Sequence, residues 1–452
     1  MGKRKILTVI LVLSLAATKL YAQKFDQEQM EKRAQSRFIN IEDIILFSDD
    51  SIKTTLNLHY RIAQNFFIFI RNEAEKAKTE YRARGELVVE VLNENKTSVG
   101  RQIQQMGLSR SSIPKEGELL QDYQGVITFS LEQGTYQLVV SLEDRESGRA
   151  IIDREQKVAI PRRTASTLLT SPLLMTVETK SATTASLYTC INRGGNILFG
   201  SKNIALVQVQ YPFGSEQPSV TCRLEGKIEG FGGRSQNFSI NDATFISGNL
   251  SLAQNSETVQ YSILPGTSST RVLAIPLPTE KLEPGSFTLS VMYTLGTIKK
   301  EQIYLFKVTW PNRPVSLMNQ ELATEALVHI ASQEDLDRIR SGSESKRGEA
   351  FAKFWKERDR DTVTAYNEVM AEYYFRVDEA TRKYSSARAG DGYRTDRGRI
   401  FILFGQPTTS DRILAPGNSP TEIWIYESLK RRFVFIDHNR SGNYILTQAD
   451  TL

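Results

Sequence analysis

From Ser51 to Pro311 the apolar residues of this chain recur at every second position or in short continuous runs, and after Pro311 they recur at spacings of three and four. That switch constrains the fold more than any other feature. An alternation of period two builds an apolar face only on an extended backbone, and spacings of three and four build one only on a helix. SIKTTLNLHYRI, NFFIFIR, GELVVEVLN, GVITFS, GTYQLVVSLED and GRAIIDREQKVAIP form a first set of such runs, divided by turn residues at Asp49-Asp50, Gly85, Gly125, Gly134 and Gly148. A second set runs through ATTASLYTCIN, NIALVQVQYP, SVTCRLEGKIEG, ETVQYSIL, TRVLAIPLP, GSFTLSVMYT and EQIYLFKVTWP. Short strands spaced by turns in this way predict β-sandwiches. The expected fold is multidomain: two tandem all-β, Ig-like sandwiches at 38–162 and 166–312, then an α+β domain with an antiparallel sheet at 318–452. Pro161-Arg162-Arg163-Thr164 and Pro311-Asn312-Arg313-Pro314 are the expected linkers.

Ahead of the first strand, Lys3, Arg4 and Lys5 precede an apolar run from Ile6 to Ala17, and small Ala22 stands before Gln23. This pattern predicts a signal peptide at 1–22, cleaved near Ala22 and too short to span a bilayer. Residues 23–37 read as a charged, solvated leader. The predicted location is exported, in the periplasm or at the cell surface, with no transmembrane span in the mature chain. Removing Lys3, Arg4, Lys5 and Lys19 from 57 basic residues leaves 53 against 52 acidic ones, a net charge near +1. A chain so balanced lacks the basic excess that nucleic-acid binding requires, so nucleic acid is not an expected partner.

Beyond Pro314, Ser332-Gln333-Glu334-Asp335 has the form of a capping box that opens a short helix. Ser341 to Ser345 reads as a polar loop before a helix carrying Phe351, Phe354 and Trp355. Tyr366, Val369, Met370, Tyr373, Val377, Ala380 and Tyr384 mark a long amphipathic helix. GDGYRTDRGRIFILFGQP, from Gly390 to Pro407, follows. It reads as a loop, a tight turn with Asp396 bonding backbone two residues on, a buried strand at Arg399–Phe404 and a second turn, with the glycines supplying positive φ. Three further strands, Glu422–Tyr426, Arg432–Asp437 and Tyr444–Thr447, complete an expected antiparallel meander with helices on one face.

Gly392, Tyr393, Arg394, Thr395 and Asp396, with Arg397, Gly398 and Arg399, resemble the motif of the bacterial GWxTD family, Tyr393 standing where the name-giving Trp would be. FAKFWKERD, EYYFRV, RGRIFILFGQP and EIWIYE resemble the family's pattern in the family's order. The resemblance implies a domain of roughly the last 130 residues, in an exported protein with β-rich modules in front. It brings no established activity. The motif residues are therefore read for architecture: Asp396 pairing with Arg394, Arg397 or Arg399, and Tyr393 packing against the long helix.

Catalytic constellations are mostly excluded. With only His59, His329 and His438, neither a multi-histidine zinc site nor an HExxH helix can form, and no G-x-S-x-G elbow occurs. No metal or cofactor is expected. Glu357, Asp359, Asp361, Asp391, Asp396, Glu422 and Asp437 crowd the last domain, and two of them opposed across a cleft could cleave a glycoside. Trp355, Tyr393 and Trp424 read either as a sugar-stacking platform or as core. DHNRSGNY, from Asp437, reads as a hairpin turn, with calcium as the alternative. For Cys190 and Cys222, an intradomain disulfide stands beside two buried thiols on strands that never meet.

The expected function is that of a non-catalytic exported envelope protein, in which the GWxTD-like domain recognises or assembles with an envelope protein. The alternatives are a periplasmic carbohydrate hydrolase using the C-terminal carboxylates, or a glycan-binding protein without turnover.

Overall fold

The computed structural model describes residues 38–47, 53–71, 81–112, 122–162, 168–178, 187–190, 196–210, 216–230, 234–255, 259–264, 270–361, 363–386, 390–414 and 416–451. The expected signal peptide, the leader and the linker residues Arg163 and Thr164 lie outside them.

Among the described residues the alternating runs fold as strands arranged in four sheets, antiparallel except where Ile197–Leu198 runs parallel to Val308–Thr309. Ile39–Leu46, Thr54–Ile62 and Tyr123–Leu131 make a three-stranded sheet. A six-stranded sheet is centred on Tyr81–Leu92, which pairs on one side with Ser98–Arg110 and on the other with Gly134–Asp144. Leu56, Leu58, Tyr60 and Ile62 from the first sheet share a core with Leu87, Val89, Val91, Leu138, Val140 and Leu142 from the second. The later strands form an eight-stranded sheet around Ile204–Gln210 and a five-stranded sheet around Gly285–Leu295. Ala205, Val207, Val209, Leu273 and Ile275 meet Leu224, Phe287, Leu289 and Val291 between these two.

Thr54–Ile62 is buried at almost every position, not at alternate ones. The reason is a third core: Ile44, Leu46 and Val126 on the back of the three-stranded sheet pack with Leu173, Met175, Leu206, Tyr261, Val272 and Ala274 of the eight-stranded sheet. The four sheets therefore form one continuous stack, and both inner sheets are apolar on two faces. Polar bonds bridge the same seam. The Phe47 amide donates to Gln208 Oε1 at 2.7 Å, and Gln208 Nε2 donates to the Phe47 carbonyl at 3.1 Å. His59 stacks on Tyr261, its Nε2 lies 2.5 Å from the tyrosine hydroxyl, and its Nδ1 lies 3.3 Å from Cys190 Sγ.

The seam also separates the two cysteines. Cys190 belongs to the core between the two inner sheets, and Cys222 to the core on the opposite side of the eight-stranded sheet. Both remain thiols. The two side chains lie on opposite faces of the eight-stranded sheet.

After Pro314 come α1 (Gln320–Ala326), α2 (Gln333–Arg340), α3 (Glu344–Lys356), α4 (Glu368–Tyr384) and α5 (Asp396–Phe404). Ser332 caps α2 through the Asp335 amide, as the capping-box reading requires. Ser343 caps α3, so the expected loop 341–345 is shorter than its polar sequence suggests. Tyr373 and Tyr374 on α4 donate to the carbonyls of Ala326 and Ala323, so buried phenols finish the C-terminal end of α1. Asp378 accepts from the Val315 and Ser316 amides, tying α4 to the entry of the domain.

A four-stranded antiparallel sheet follows in the order Thr409–Ile413, Thr421–Tyr426, Arg431–Ile436, Ile445–Thr451. Its first strand was not legible in TSDRI, a polar segment exposed at every position. Helices and sheet enclose one core that includes Trp355, Tyr374, Val377, Phe401, Trp424 and Phe435.

The expected strand Arg399–Phe404 is instead the last helix, α5. Thr395 Oγ1 accepts from the Gly398 amide at 3.0 Å as its N-cap, and Asp396 occupies the first turn, where a carboxylate complements the helix dipole. Gly405, at φ +79°, closes the other end. Ile400, Phe401 and Ile402 are all buried because one side of α5 packs on α4 and its end on the sheet. A short continuous apolar run fits a buried strand and a buried helix equally well, and here the caps at both ends select the helix.

Candidate functional site

The motif Gly392–Arg399 sits where α4, α5 and the last strand converge. Two of its glycines act by close approach and not by positive φ. A Cβ on Gly392 would collide with the Ala380 carbonyl, and one on Gly398 with the Gly392 carbonyl. Gly390, at φ +73°, does supply the left-handed turn. Thr395 completes the knot by donating to the Gly392 carbonyl at 2.7 Å while it caps α5.

Each charged residue of the motif has a structural partner. Asp396 Oδ2 accepts from the Leu446 amide at 2.8 Å, and its Oδ1 pairs with Arg399 at 3.3 Å. The helix start is thereby bonded to the last strand. Asp396 does not itself close a turn, since Thr395 is the capping side chain. Arg397 is mostly enclosed: it pairs with Glu422 at 2.9 Å, donates to the Gly442 carbonyl and lies 4.1 Å over the Tyr444 ring. Glu422 also accepts from the Trp424 indole at 2.7 Å. Arg394 and the Tyr393 hydroxyl both reach Glu325 Oε2, at 2.5 and 2.9 Å. The Tyr393 hydroxyl bond and the Arg394 guanidinium hold the Glu325 carboxyl below its usual range, although slight burial opposes them. His329 Nε2 lies 2.8 Å from the Tyr393 carbonyl oxygen, and burial lowers the imidazole's proton affinity. Glu325 and Leu446 were not singled out in the sequence. Both meet the motif only through tertiary folding, from opposite sides.

Tyr393 is 1% exposed, Trp355 2% and Trp424 1%. They are core, and the sugar-stacking platform is excluded. The seven candidate carboxylates do not gather around one cleft either. Glu422 and Asp396 are paired as above, and Asp437 accepts the Ser441 and Gly442 amides of its own turn. Asp361 accepts from Val363 and Thr364, and Glu357 pairs with Lys353 at the surface. Among the described residues no three His, Cys, Asp or Glu side chains group closely enough to hold a metal ion, and no helix is long and apolar enough to cross a membrane.

A stack of antiparallel β-sheets thus carries a C-terminal α+β unit built around a glycine-rich structural knot. Residues 292–451 match the model of the GWxTD domain family, so the chain contains a GWxTD domain. The match begins near the end of the strand Gly285–Leu295, ahead of residue 318, and takes in the following strand Ile298–Thr309 of the five-stranded sheet. No curated protein matches the chain. Among solved structures, BspA_C_WT aligns at 8% identity over 59% of this chain and 99% of its own, with a TM-score of 0.15. The Enterococcus faecalis MSCRAMM ACE, described as binding its ligands by a collagen hug, aligns at 5% identity over 60% and 95%, with a TM-score of 0.14. The S. aureus collagen adhesin CNA aligns at 10% over 60% and 93%, with a TM-score of 0.13. Superpositions this poor support no inference about this chain.

Proposed function

We propose that the chain is a non-catalytic, exported envelope protein in which the sheet stack positions the GWxTD domain as a module for recognising or assembling with another envelope protein. One observation carries the reading. The motif's polar side chains Arg394, Thr395, Asp396, Arg397 and Arg399 all bond within the fold, where a catalytic motif would direct some of them into an open cleft. Export rests on the basic and apolar N-terminal segment read above.

The test compares wild type and Asp396→Asn in thermal melting and in a screen for glycan and peptide hydrolysis. Absence of turnover in both proteins, with any effect of the substitution confined to stability, supports the reading. Turnover by the wild type that disappears in Asp396→Asn with an unchanged melting curve overturns it. N-terminal sequencing of protein from cell fractions checks export: a chain that begins at Gln23 in the periplasmic or surface fraction is expected, and an intact Met1 in the cytoplasm counts against it.

A further inference from the structure

The strand Ile298–Thr309 stands near an edge of the five-stranded sheet, in register with Gly285–Leu295 without a break from Leu295–Ile298 to Gly285–Val308. On its other side only Val308 and Thr309 are paired among the described residues, with the parallel Ile197–Leu198. The Lys307 amide donates away from the ladder, to Asn196 Oδ1 at 3.0 Å. Backbone groups alternate in direction along a strand of an antiparallel pair, so the amides and carbonyls of Glu301, Ile303 and Leu305 point to the same open side. Along that edge Ile303 is 58% exposed and Leu305 78%, the most exposed large apolar side chain among the described residues.

An open edge is a template for a further strand, and proteins ordinarily blunt it with bulges, charges or a cover. Ser98–Arg110 and Asn249–Asn255 are edge strands too, and each breaks register with its neighbour. The segment Glu301–Phe306 has no such break, and its lysines lie only beyond its two ends. Charge says what the edge would accept. Across the strands of this sheet Arg223, Lys227, Lys299, Lys300 and Lys307 stand against Glu225 and Glu301, and no ion pair among the described residues takes up Lys299, Lys300 or Lys307. We infer that this edge docks an extended segment of another protein, which pairs with Glu301–Leu305, sets apolar side chains beside Ile303 and Leu305 and carries acidic residues at the end that reaches Lys299 and Lys300. A second copy does not fit. The register that sets Ile303 of one copy opposite Leu305 of the other also sets Lys300 opposite Val308, a place that Ile197 already holds. The inference rests on the recognition role proposed above and names its surface.

The test titrates the full chain into dye-labelled, end-blocked peptides and follows their anisotropy. The probes are a short run of alternating valine and threonine that ends in two glutamates, the same run with the glutamates first, the same run with lysines in their place, and the acidic forms with alternate amides N-methylated in either phase. An acidic peptide is expected to bind saturably, and the end at which glutamates bind tighter gives the direction of the added strand. The lysine form and one phase of N-methylation are expected to bind roughly tenfold or more weaker. Leu305→Thr removes the exposed apolar anchor. Ile303→Pro removes an amide that faces the open side, where an edge strand tolerates proline. Each is expected to weaken binding roughly tenfold while the melting temperature holds. No saturable binding of either acidic peptide, equal binding of the lysine form, indifference to both phases of N-methylation, or binding unaffected by both Leu305→Thr and Ile303→Pro would overturn the inference. So would a dimer in sedimentation that Ile303→Pro dissociates, because the edge would then take a second copy. Hydrolysis is read in a separate assay, so failure of the docking edge is distinguishable from failure of the non-catalytic reading.

Discussion

Asp396 shows how much one side chain's partners decide about a substitution. Its pair with Arg399 spans i to i+3 at a surface where both side chains stay partly exposed, and such pairs contribute about 0–1 kcal/mol. Its bond to the Leu446 amide joins the start of α5 to the last strand of the sheet. Asp396→Asn keeps an acceptor for that amide and is expected to cost under about 1 kcal/mol, whereas Asp396→Ala is expected to cost about 1–3 kcal/mol. Equal losses for the two in denaturant unfolding of the full chain would show that charge, not the strand bond, matters. Tyr393 divides in the same way. Tyr393→Phe removes the hydroxyl's bonds to Glu325 and Arg394 and should cost about 1–2 kcal/mol, and Tyr393→Ala opens a cavity at a fully buried site and should cost about 3–5 kcal/mol. If the two variants melt together, the ring's packing is not what holds the knot.

At the scale of elements, the start of α5 depends on a hydroxyl and on an absent methyl. Thr395→Val keeps the shape and deletes the cap, with an expected loss of about 1 kcal/mol. Gly398→Ala drives a Cβ into the Gly392 carbonyl, which is backbone and cannot step aside, so about 2 kcal/mol or more is expected. A Gly398→Ala variant that melts like wild type would contradict the close approach of the two segments. Capping by Thr395 and termination by Gly405 were both present in the sequence and could have marked a helix. The apolar run between them hid it, because Ile400–Phe404 has no polar face from which a period can be read.

Across the whole molecule, the seam between the inner sheets makes stability depend on pH. Burial pushes the His59 imidazole down to about 4 from the usual 6.5. Above pH 6.5 the folded and unfolded chains are both neutral at this residue. As pH falls from 6.5 towards 4 only the unfolded chain takes up the proton, so the folded state loses on the order of 3 kcal/mol. Glu42, opposite His59 in register, works the other way: burial raises its carboxyl to about 8, so its contribution weakens as pH rises towards that value. The difference between wild type and His59→Gln isolates the histidine and should shrink steadily below pH 6.5. A difference that stays constant from pH 7 to 4.5 would mean that the ring is solvated in the native state. The same seam predicts that the fragment 38–162, expressed alone, exposes Ile44, Leu46 and Val126, binds a hydrophobic dye and melts below the fragment 38–312. Equal melting without dye binding would mean that the shared core adds nothing.

The amino-acid sequence by itself determined the local structure: strands wherever the period was two, helices α2, α3 and α4 wherever it was three to four, and a sharp change of class at Pro311–Pro314. It also marked the motif, because glycines crowded among charges are unusual in any regular element. What it could not determine was which faces meet. Burial on both sides of Thr54–Ile62 is invisible in an alternating pattern when the second face is made by Asn57 and His59, buried polar residues that bond to Thr128 in the same sheet and to Tyr261 in the sheet opposite. Cys190 and Cys222 could be placed on strands but not on the same side of a sheet. Asp396 could be assigned an arginine but not the Leu446 amide, fifty residues away. Local periodicity follows from backbone geometry, which each residue carries with it, whereas the pairing of faces depends on long-range packing that only the folded chain supplies.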